Sequence, residues 1–315
     1  MNEAILKIIS SLFICTWLMS CNENSQTPLS KTPLNKTPLS QTKESVSVVD
    51  FTGNTIRLNQ AAKRIVALAP HVVENIYSAG AGNKLVGVVS YSNYPADALK
   101  LPIVGGYEQT NHEKIIELNL DLIIGWETGN SHSSLQRLSD LGYPVYIDQP
   151  NNLQDVAKSI RDIGVLSGTS DHANKIADQY LLDLAETRSQ YKNAKLLRVF
   201  YQVWNSPLYT INGNHIISDA INICGGVNIY ADEFAVSPVI NIESLLERDP
   251  DVIIAGGMSS SRPEWLDNWK AWPSLKAVAK DNLFHVNPDH IQRHTARLLL
   301  GLDSICTQLD QARSR

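Results

Sequence analysis

The chain has 315 residues, enough for one large domain or two of ordinary size. Its composition, 43% hydrophobic and 19% charged, is that of a globular protein, and a net charge of −5 with no basic run argues against nucleic acid as a partner. The eight histidines are scattered, so there is no His-rich tract for scavenging metal.

The chain opens with an apolar run from Ile8 to Met19, too short to span a bilayer and of the length of a signal-peptide core. It ends in Leu18-Met19-Ser20-Cys21, which resembles a bacterial lipobox and marks Cys21 as the expected lipidated first residue of the mature protein. Residues 1–20 are therefore read as a lipoprotein signal peptide. Residues 21–45 are poor in apolar side chains and repeat Thr-Pro-Leu from Thr27, Thr32 and Thr37, the pattern of an extended, solvated tether. Once Cys15 is cleaved away and Cys21 carries lipid, Cys224 and Cys306 remain. An even pair in an oxidising compartment predicts one disulfide in the C-terminal half.

From Val46 the pattern becomes α/β. Val46–Phe51 and Thr55–Leu58 read as a hairpin, Arg64–Leu68 as a strand, His71–Ala79 as a helix closed by Gly80, and Lys84–Val89 as a second strand. Asn111 caps an expected helix through Leu118; Asp121–Gly125 and Val145–Asp148 read as strands, Leu135–Leu141 and Leu153–Leu166 as helices. A long helix follows from Asp171 to Lys192, with Ala173, Ile176, Ala177, Tyr180, Leu181 and Leu184 on one stripe and Ser170 or Asp171 as N-cap. It would span about 33 Å. The pattern then restarts: strands at Leu197–Gln202, Leu208–Ile211, Asp251–Ala255 and Asn282–Val286, and helices at Ile216–Cys224, Ile242–Arg248, Trp265–Trp272 and Thr295–Leu309. Short apolar strands alternating with helices predict parallel sheets covered on both faces.

The two halves resemble each other. Glu113 to Gly125 aligns without a gap on Glu243 to Ala255, with Glu113/Glu243, Glu117/Glu247, Asp121/Asp251, Ile123/Ile253 and Ile124/Ile254 identical. Each copy reads as helix, tight turn, buried strand. The expected organisation is a first lobe at 46–168, a linking helix at 169–194 and a second lobe at 195–315.

Catalytic signals are sparse. There is no G-x-S-x-G elbow and no phosphate loop, and Gly80-Ala-Gly82-Asn-Lys follows a helix and precedes a strand, the wrong order for a phosphate site. His290 and His294 have the i,i+4 spacing of metal ligands, with His285 near, but lack the Glu of H-E-x-x-H and read as surface or capping residues. Aromatic residues after strands are more informative: Tyr91, Tyr107 and Trp126 in the first half, Trp204 and Tyr209 in the second. Ligands bind open α/β sheets at the carboxyl ends of their strands, so these rings predict an aromatic cleft between lobes. Trp265, Trp269 and Trp272 read as core.

Five stretches carry a family resemblance: Arg64-Ile-Val-Ala-Leu-Ala-Pro70, Gly87-Val-Val-Ser-Tyr-Ser-Asn-Tyr-Pro95, Asp121-Leu-Ile-Ile-Gly-Trp126, Cys224-Gly-Gly-Val-Asn-Ile-Tyr230 and Asp289-His-Ile-Gln-Arg293. From Val46 onward the chain resembles the helical-backbone (class III) periplasmic substrate-binding proteins of ABC importers, which bind cobalamin, ferric siderophores or haem. The Tyr-Ser-Asn-Tyr-Pro and Gly-Trp stretches resemble the cobalamin branch. The resemblance implies two Rossmann-like lobes joined by one long helix, a ligand held between them, and little lobe closure. It places Tyr91, Tyr107 and Trp126, with Tyr209 from the second lobe, at aromatic contacts to the corrin. Val203 and Ser237 stand where other aromatic contacts occur, with Trp204 as the neighbouring substitute. Asp289 and Arg293 match a polar pair facing the ligand's amide edge, Glu113 and Glu243 two glutamates that dock on arginines of a two-fold symmetric permease, and Cys224–Cys306 the family disulfide.

The expected protein is thus a lipid-anchored, exported monomer that binds cobalamin or a related corrinoid as cargo, needs no cofactor and is not an enzyme. The rival readings are a ferric siderophore or haem in the same fold, a zinc or manganese site using His285, His290 and His294, and an exported enzyme on a similar scaffold.

Overall fold

A computed structural model describes residues 44–315. The signal peptide, Cys21 and all but the last two residues of the tether lie outside the described residues. The described chain starts with a hairpin of β1 (Val46–Val49) and β2 (Thr55–Leu58), antiparallel with Val46 opposite Leu58. Its turn is set by Asp50, whose Oδ1 accepts from the backbone N–H of Thr52 and of Asn54, both at 2.9 Å.

The first lobe follows as β3 (Ile65–Ala67), α1 (Pro70–Ser78), β4 (Leu85–Gly87), α2 (His112–Glu117), β5 (Leu122–Trp126), α3 (His132–Asp140), β6 (Val145–Asp148) and α4 (Asp155–Ser167). Its sheet is wholly parallel, ordered β4-β3-β5-β6. Then comes the long helix α5 (Ser170–Tyr191). The second lobe contains β7 (Leu197–Gln202), a small hairpin of β8 (Trp204–Asn205) and β9 (Leu208–Tyr209), α6 (Ile216–Ile223), β10 (Gly226–Asn228), α7 (Ile242–Arg248), β11 (Val252–Ala255), α8 (Lys276–Ala279), β12 (Leu283–His285), α9 (Pro288–Ile291) and α10 (Leu298–Arg313). Its main sheet, β10-β7-β11-β12, is also parallel. In chain order both sheets run second, first, third, fourth, so the lobes share one topology.

The repeat has a mechanical basis. Asp121 Oδ2 accepts from Arg64 N–H at 3.0 Å and Asp251 Oδ2 from Arg198 N–H at 2.9 Å, each pinning the start of one strand to its neighbour. Arg64 Nη2 donates to Leu118 O (2.8 Å) and Arg198 Nη2 to Arg248 O (2.6 Å), the equivalent carbonyl in each lobe. The correspondence includes residues that are not identical or lie just before the aligned segment. Asn111 and Asn241 cap α2 and α7 through Lys114 N and Ser244 N, and Asn119 and Asp249 both hold positive φ (46° and 38°) in the turn that follows.

Helix α5 belongs to both lobes. Its stripe of Ala173, Ala177, Tyr180 and Leu184 is buried, with Ile176 and Leu181 packed at the edge of the same core. Against α4 the approach is close: a Cβ on Gly164 would lie 2.3 Å from that of Ala173, so only glycine fits there. Further along, Tyr191 Oη donates to Asp310 Oδ2 of α10 at 3.0 Å. One apolar core runs from Ile65 and Ile124 through Tyr180 and Leu184 to Val199 and Leu302, while the outer face of each sheet has its own cluster. The Cys224–Cys306 disulfide ties the end of α6 to α10 inside the shared core.

Several elements differ from expectation. Neither Ser170 nor Asp171 is the N-cap of α5; Thr169 holds that place without a side-chain cap, because its Oγ1 is 2.8 Å from Ser167 Oγ. Glu264–Ala271 forms a 3₁₀ turn between Pro263 and Pro273 rather than an α-helix, with Trp269 buried as core and Trp265 and Trp272 packed beside it. The last helix begins at Leu298, not Thr295, because Thr295 Oγ1 turns away to Glu74 Oε2 (3.1 Å) and accepts from Arg297 N–H (3.2 Å). Strands β8 and β10 and helices α8 and α9 were not foreseen.

Candidate functional site

A cavity of about 530 Å³ lies between the lobes at the carboxyl ends of their strands. The first lobe contributes Trp126, the last residue of β5, and Gln149 to Asn151, which follow β6. The second contributes Val203 after β7, Ile211, the start of α6, and Gln292 and His294 after α9. No lysine or arginine is among the lining residues.

Trp126 is held in place by groups around it. Its backbone N–H donates to Asn130 Oδ1 at 2.7 Å. The Asn130 carboxamide in turn donates to Leu68 O (2.9 Å) and Tyr107 O (2.6 Å). One buried side chain thus fixes the ends of two strands and the Tyr107 loop. The indole lies over Gly129, where a Cβ would meet it at 1.8 Å. Tyr107 sits beside it with ring centroids 6.0 Å apart, and His71 meets its edge at 5.1 Å.

Behind Trp126 is a cluster of histidines. His294 lies 5.4 Å from His71 and 6.1 Å from His215 between ring centroids, joining α1 of the first lobe to α6 of the second. His71 Nε2 is 3.4 Å from the fully buried Asp148 Oδ2. His215 is the N-cap of α6: its Nδ1 accepts from Ile217 N–H at 3.2 Å, and burial pushes its pKa from 6.5 down to about 4. Burial, with His71 and His215 nearby, holds His294 well below the usual histidine value. Both imidazoles are therefore neutral at pH 7. Among the described residues no group of three His, Cys, Asp or Glu side chains is placed to hold a metal ion, so His285, His290 and His294 do not assemble as a set.

The polar centre of the lobe interface is Glu74 on α1. Its side chain is 2% exposed, and Oε1 receives Arg293 Nη1 at 2.9 Å and Arg297 Nη1 at 3.2 Å, both from the second lobe. Burial raises the Glu74 pKa against the opposing pull of Arg293, Arg297 and Thr295. Arg293 also donates to Asn93 Oδ1 (2.8 Å) and Tyr91 O (3.3 Å), and pairs with Asp289 at 3.0 Å. Arg297 lies 4.1 Å from the Tyr94 ring. Nearby, Asn75 Nδ2 donates to His294 O at 2.9 Å, and at another point of the interface Leu153 N–H donates to Asp219 Oδ2 at 2.9 Å.

These placements sort the expected ligand residues. Trp126 lines the cavity. Tyr107 lies beside it with the two rings tilted by 49°, and Tyr91, 77% exposed with φ 66°, projects from the loop held by Arg293. Trp204 and Tyr209 face each other across the β8–β9 hairpin, with Trp265 6.5 Å from Trp204. Arg293 pairs with both Asp289 and Glu74, so its charge is largely satisfied within the protein. Sequence reasoning missed Glu74, Asn130 and His215. For Glu74 the available signal was a carboxylate amid His71-Val-Val and Asn75-Ile, on a short helix buried nearly all round, where an acid needs a cation.

Residues 65–290 match the family model described as periplasmic binding protein. The vitamin B12-binding protein of Vibrio cholerae serotype O1 is 36% identical over 255 residues, covering 81% of this chain and 91% of that one. The protein of the same name from Yersinia pestis is 32% identical over 250 residues, covering 79% and 87%. Among solved structures, the periplasmic vitamin B12-binding protein of V. cholerae superposes with a TM-score of 0.75 at 36% identity, covering 81% of this chain and 99% of that one. A periplasmic heme-binding protein from Roseiflexus sp. RS-1 shares the fold at a TM-score of 0.69 and 22% identity, covering 80% and 99%.

Two outcomes follow from the interface. Glu74→Ala leaves two part-buried guanidinium groups without their carboxylate and should cost about 3 kcal/mol in urea unfolding, with Glu74→Gln losing less. His215 has a folded pKa below its unfolded one, so its contribution is present above pH 6.5 and is lost as pH falls towards about 4. By pH 5 this amounts to about 2 kcal/mol. The raised Glu74 pKa acts in the opposite sense. The diagnostic is therefore a difference: His215→Asn, which keeps a capping acceptor, should flatten the acid-side loss of thermal stability relative to the parent.

Proposed function

Because the chain belongs to the periplasmic binding protein family, we propose that it is the exported binding component that captures cobalamin or a related corrinoid and hands it unchanged to an ABC importer. The observation that carries this reading is the likeness, along most of the chain, to proteins named for vitamin B12 binding. The cleft supports it chemically. A rigidly seated indole on one wall, aliphatic side chains on the other and polar groups at the edge suit a large, flat-faced, amide-fringed ligand. The absence of Lys and Arg from the lining disfavours haem carboxylates and anionic siderophores, which share the fold but call for cations.

In this reading Tyr91, Tyr107, Trp204 and Tyr209 extend the aromatic surface around the cavity mouth, and Asp289 and Arg293 shape its edge. Glu113 and Glu243 dock on the permease dimer. Each is exposed and is the second residue of its helix, beside an Asn cap, at equivalent places in two lobes of one topology. Such a pair suits a two-fold symmetric partner. Cys21 carries the lipid that keeps the binding protein, a monomer, at the membrane.

The full chain in detergent should quench its Trp fluorescence on titration with cyanocobalamin, at one ligand per protein. Trp126→Ala should weaken binding at least tenfold, about 1.4 kcal/mol; no quenching and no heat at micromolar ligand would sink the reading. Glu113→Ala combined with Glu243→Ala should leave that titration unchanged and abolish cobalamin uptake in cells. Loss of binding in the double variant would remove the docking role.

A further inference from the structure

The main cavity does not end at its apolar wall. A second cavity of about 470 Å³ shares Asn151, Asn214 and His215 with it and continues to Asp219 and Asn222. Its chemistry is different: carboxamides, one imidazole and one carboxylate, with no apolar side chain and no lysine or arginine among its lining residues. The side chains of Asn151, Asn214 and Asn222 are exposed there.

At the junction stands His215. Its Nδ1 is occupied by Ile217 N–H, so the neutral ring carries its proton on Nε2, a donor of fixed identity. At the far side, Asp219 Oδ2 is held by Leu153 N–H, and Oδ1 lies 3.9 Å from Arg188, which lines a neighbouring cavity rather than this one. A group entering the annex therefore meets neutral donors and acceptors and one negative charge.

We propose that this annex receives the carboxamide-bearing side arms of the ligand and discriminates against the corresponding carboxylates. A carboxamide both donates and accepts. Its carbonyl suits the His215 Nε2–H and the asparagine NH₂ groups, and its own NH₂ suits the asparagine carbonyls and Asp219. A carboxylate in the same place loses the donor half of these bonds, meets Asp219 with like charge and finds no cation in the lining. A site built to hydrogen-bond one polar group rejects its near-isostere far better than an apolar pocket distinguishes shapes.

The inference rests on the cobalamin reading, and the test separates the two. The full chain in detergent is titrated calorimetrically with cyanocobalamin and with a monocarboxylate derivative in which one peripheral amide is hydrolysed, using each available positional isomer. At least one isomer should bind about tenfold more weakly than cyanocobalamin. Asp219→Asn, which keeps an acceptor for Leu153 N–H, should narrow that gap to about threefold, and Asn214→Ala with Asn222→Ala should weaken cyanocobalamin itself about tenfold. Equal binding of every isomer by the parent overturns the annex, as does parental affinity for cyanocobalamin in the asparagine double variant. Absence of any corrinoid binding by the parent overturns the cobalamin reading and the annex with it.

Discussion

A carboxylate on a short helix of one lobe, surrounded by apolar neighbours, can remain buried only if the other lobe supplies its cations. Glu74 is that group. Arg293 and Arg297 are brought to it by the turn between α9 and α10, and Thr295 fills the second oxygen. The rest of the cleft depends on this arrangement. With the arginines committed to Glu74, the loop carrying Tyr91, Asn93 and Tyr94 is held against the second lobe, and the cavity is left without positive charge. A buried pair of this kind adds little net stability compared with an apolar replacement. What it contributes here is geometry: one relative placement of α1 and the α9–α10 turn brings both arginines and Thr295 to the carboxylate.

The lobes are joined more extensively than by a single helix. Helix α5 carries an apolar stripe shared by both lobes, and the core is continuous through Tyr180 and Leu184. Asn75 and Leu153 add hydrogen bonds across the interface at two further points. Hinged binding proteins leave few contacts between domains except at the hinge. This interface is the opposite case, with cross-lobe contacts at α1, at Leu153 and along α5. The matched strand order of the two sheets places equivalent helix starts on both lobes, so an exposed acid at each follows from the duplication without further design.

Local patterning made much of the architecture legible. The stripe on α5 located that helix to within a residue at each end, and buried Ile pairs with matched Asp residues exposed the repeat, because both depend on spacing along the chain. The site was less legible for a physical reason. Glu74 and Arg293 are 219 positions apart, so nothing near either residue announces the other. Asn130 likewise acts on groups 23 and 62 positions away. Asp289 and Arg293 were expected at the ligand through the family resemblance alone, whereas the fold gives Arg293 a second and deeper partner in Glu74. Trp126, at a strand end, was readable from chain position alone.

On the proposed reading, the Glu74 cluster also divides the work of the transport cycle unevenly. A cleft already shaped by cross-lobe pairs takes up its cargo without waiting for a closing motion, so encounter with the ligand is the simple half. Unloading is the demanding half. To widen the cleft, something must pull Arg293 and Arg297 away from a carboxylate that water does not reach, at a cost of several kcal/mol. That cost makes the open cleft a minor population, so in the proposed cycle release falls to whatever engages the two lobes from outside.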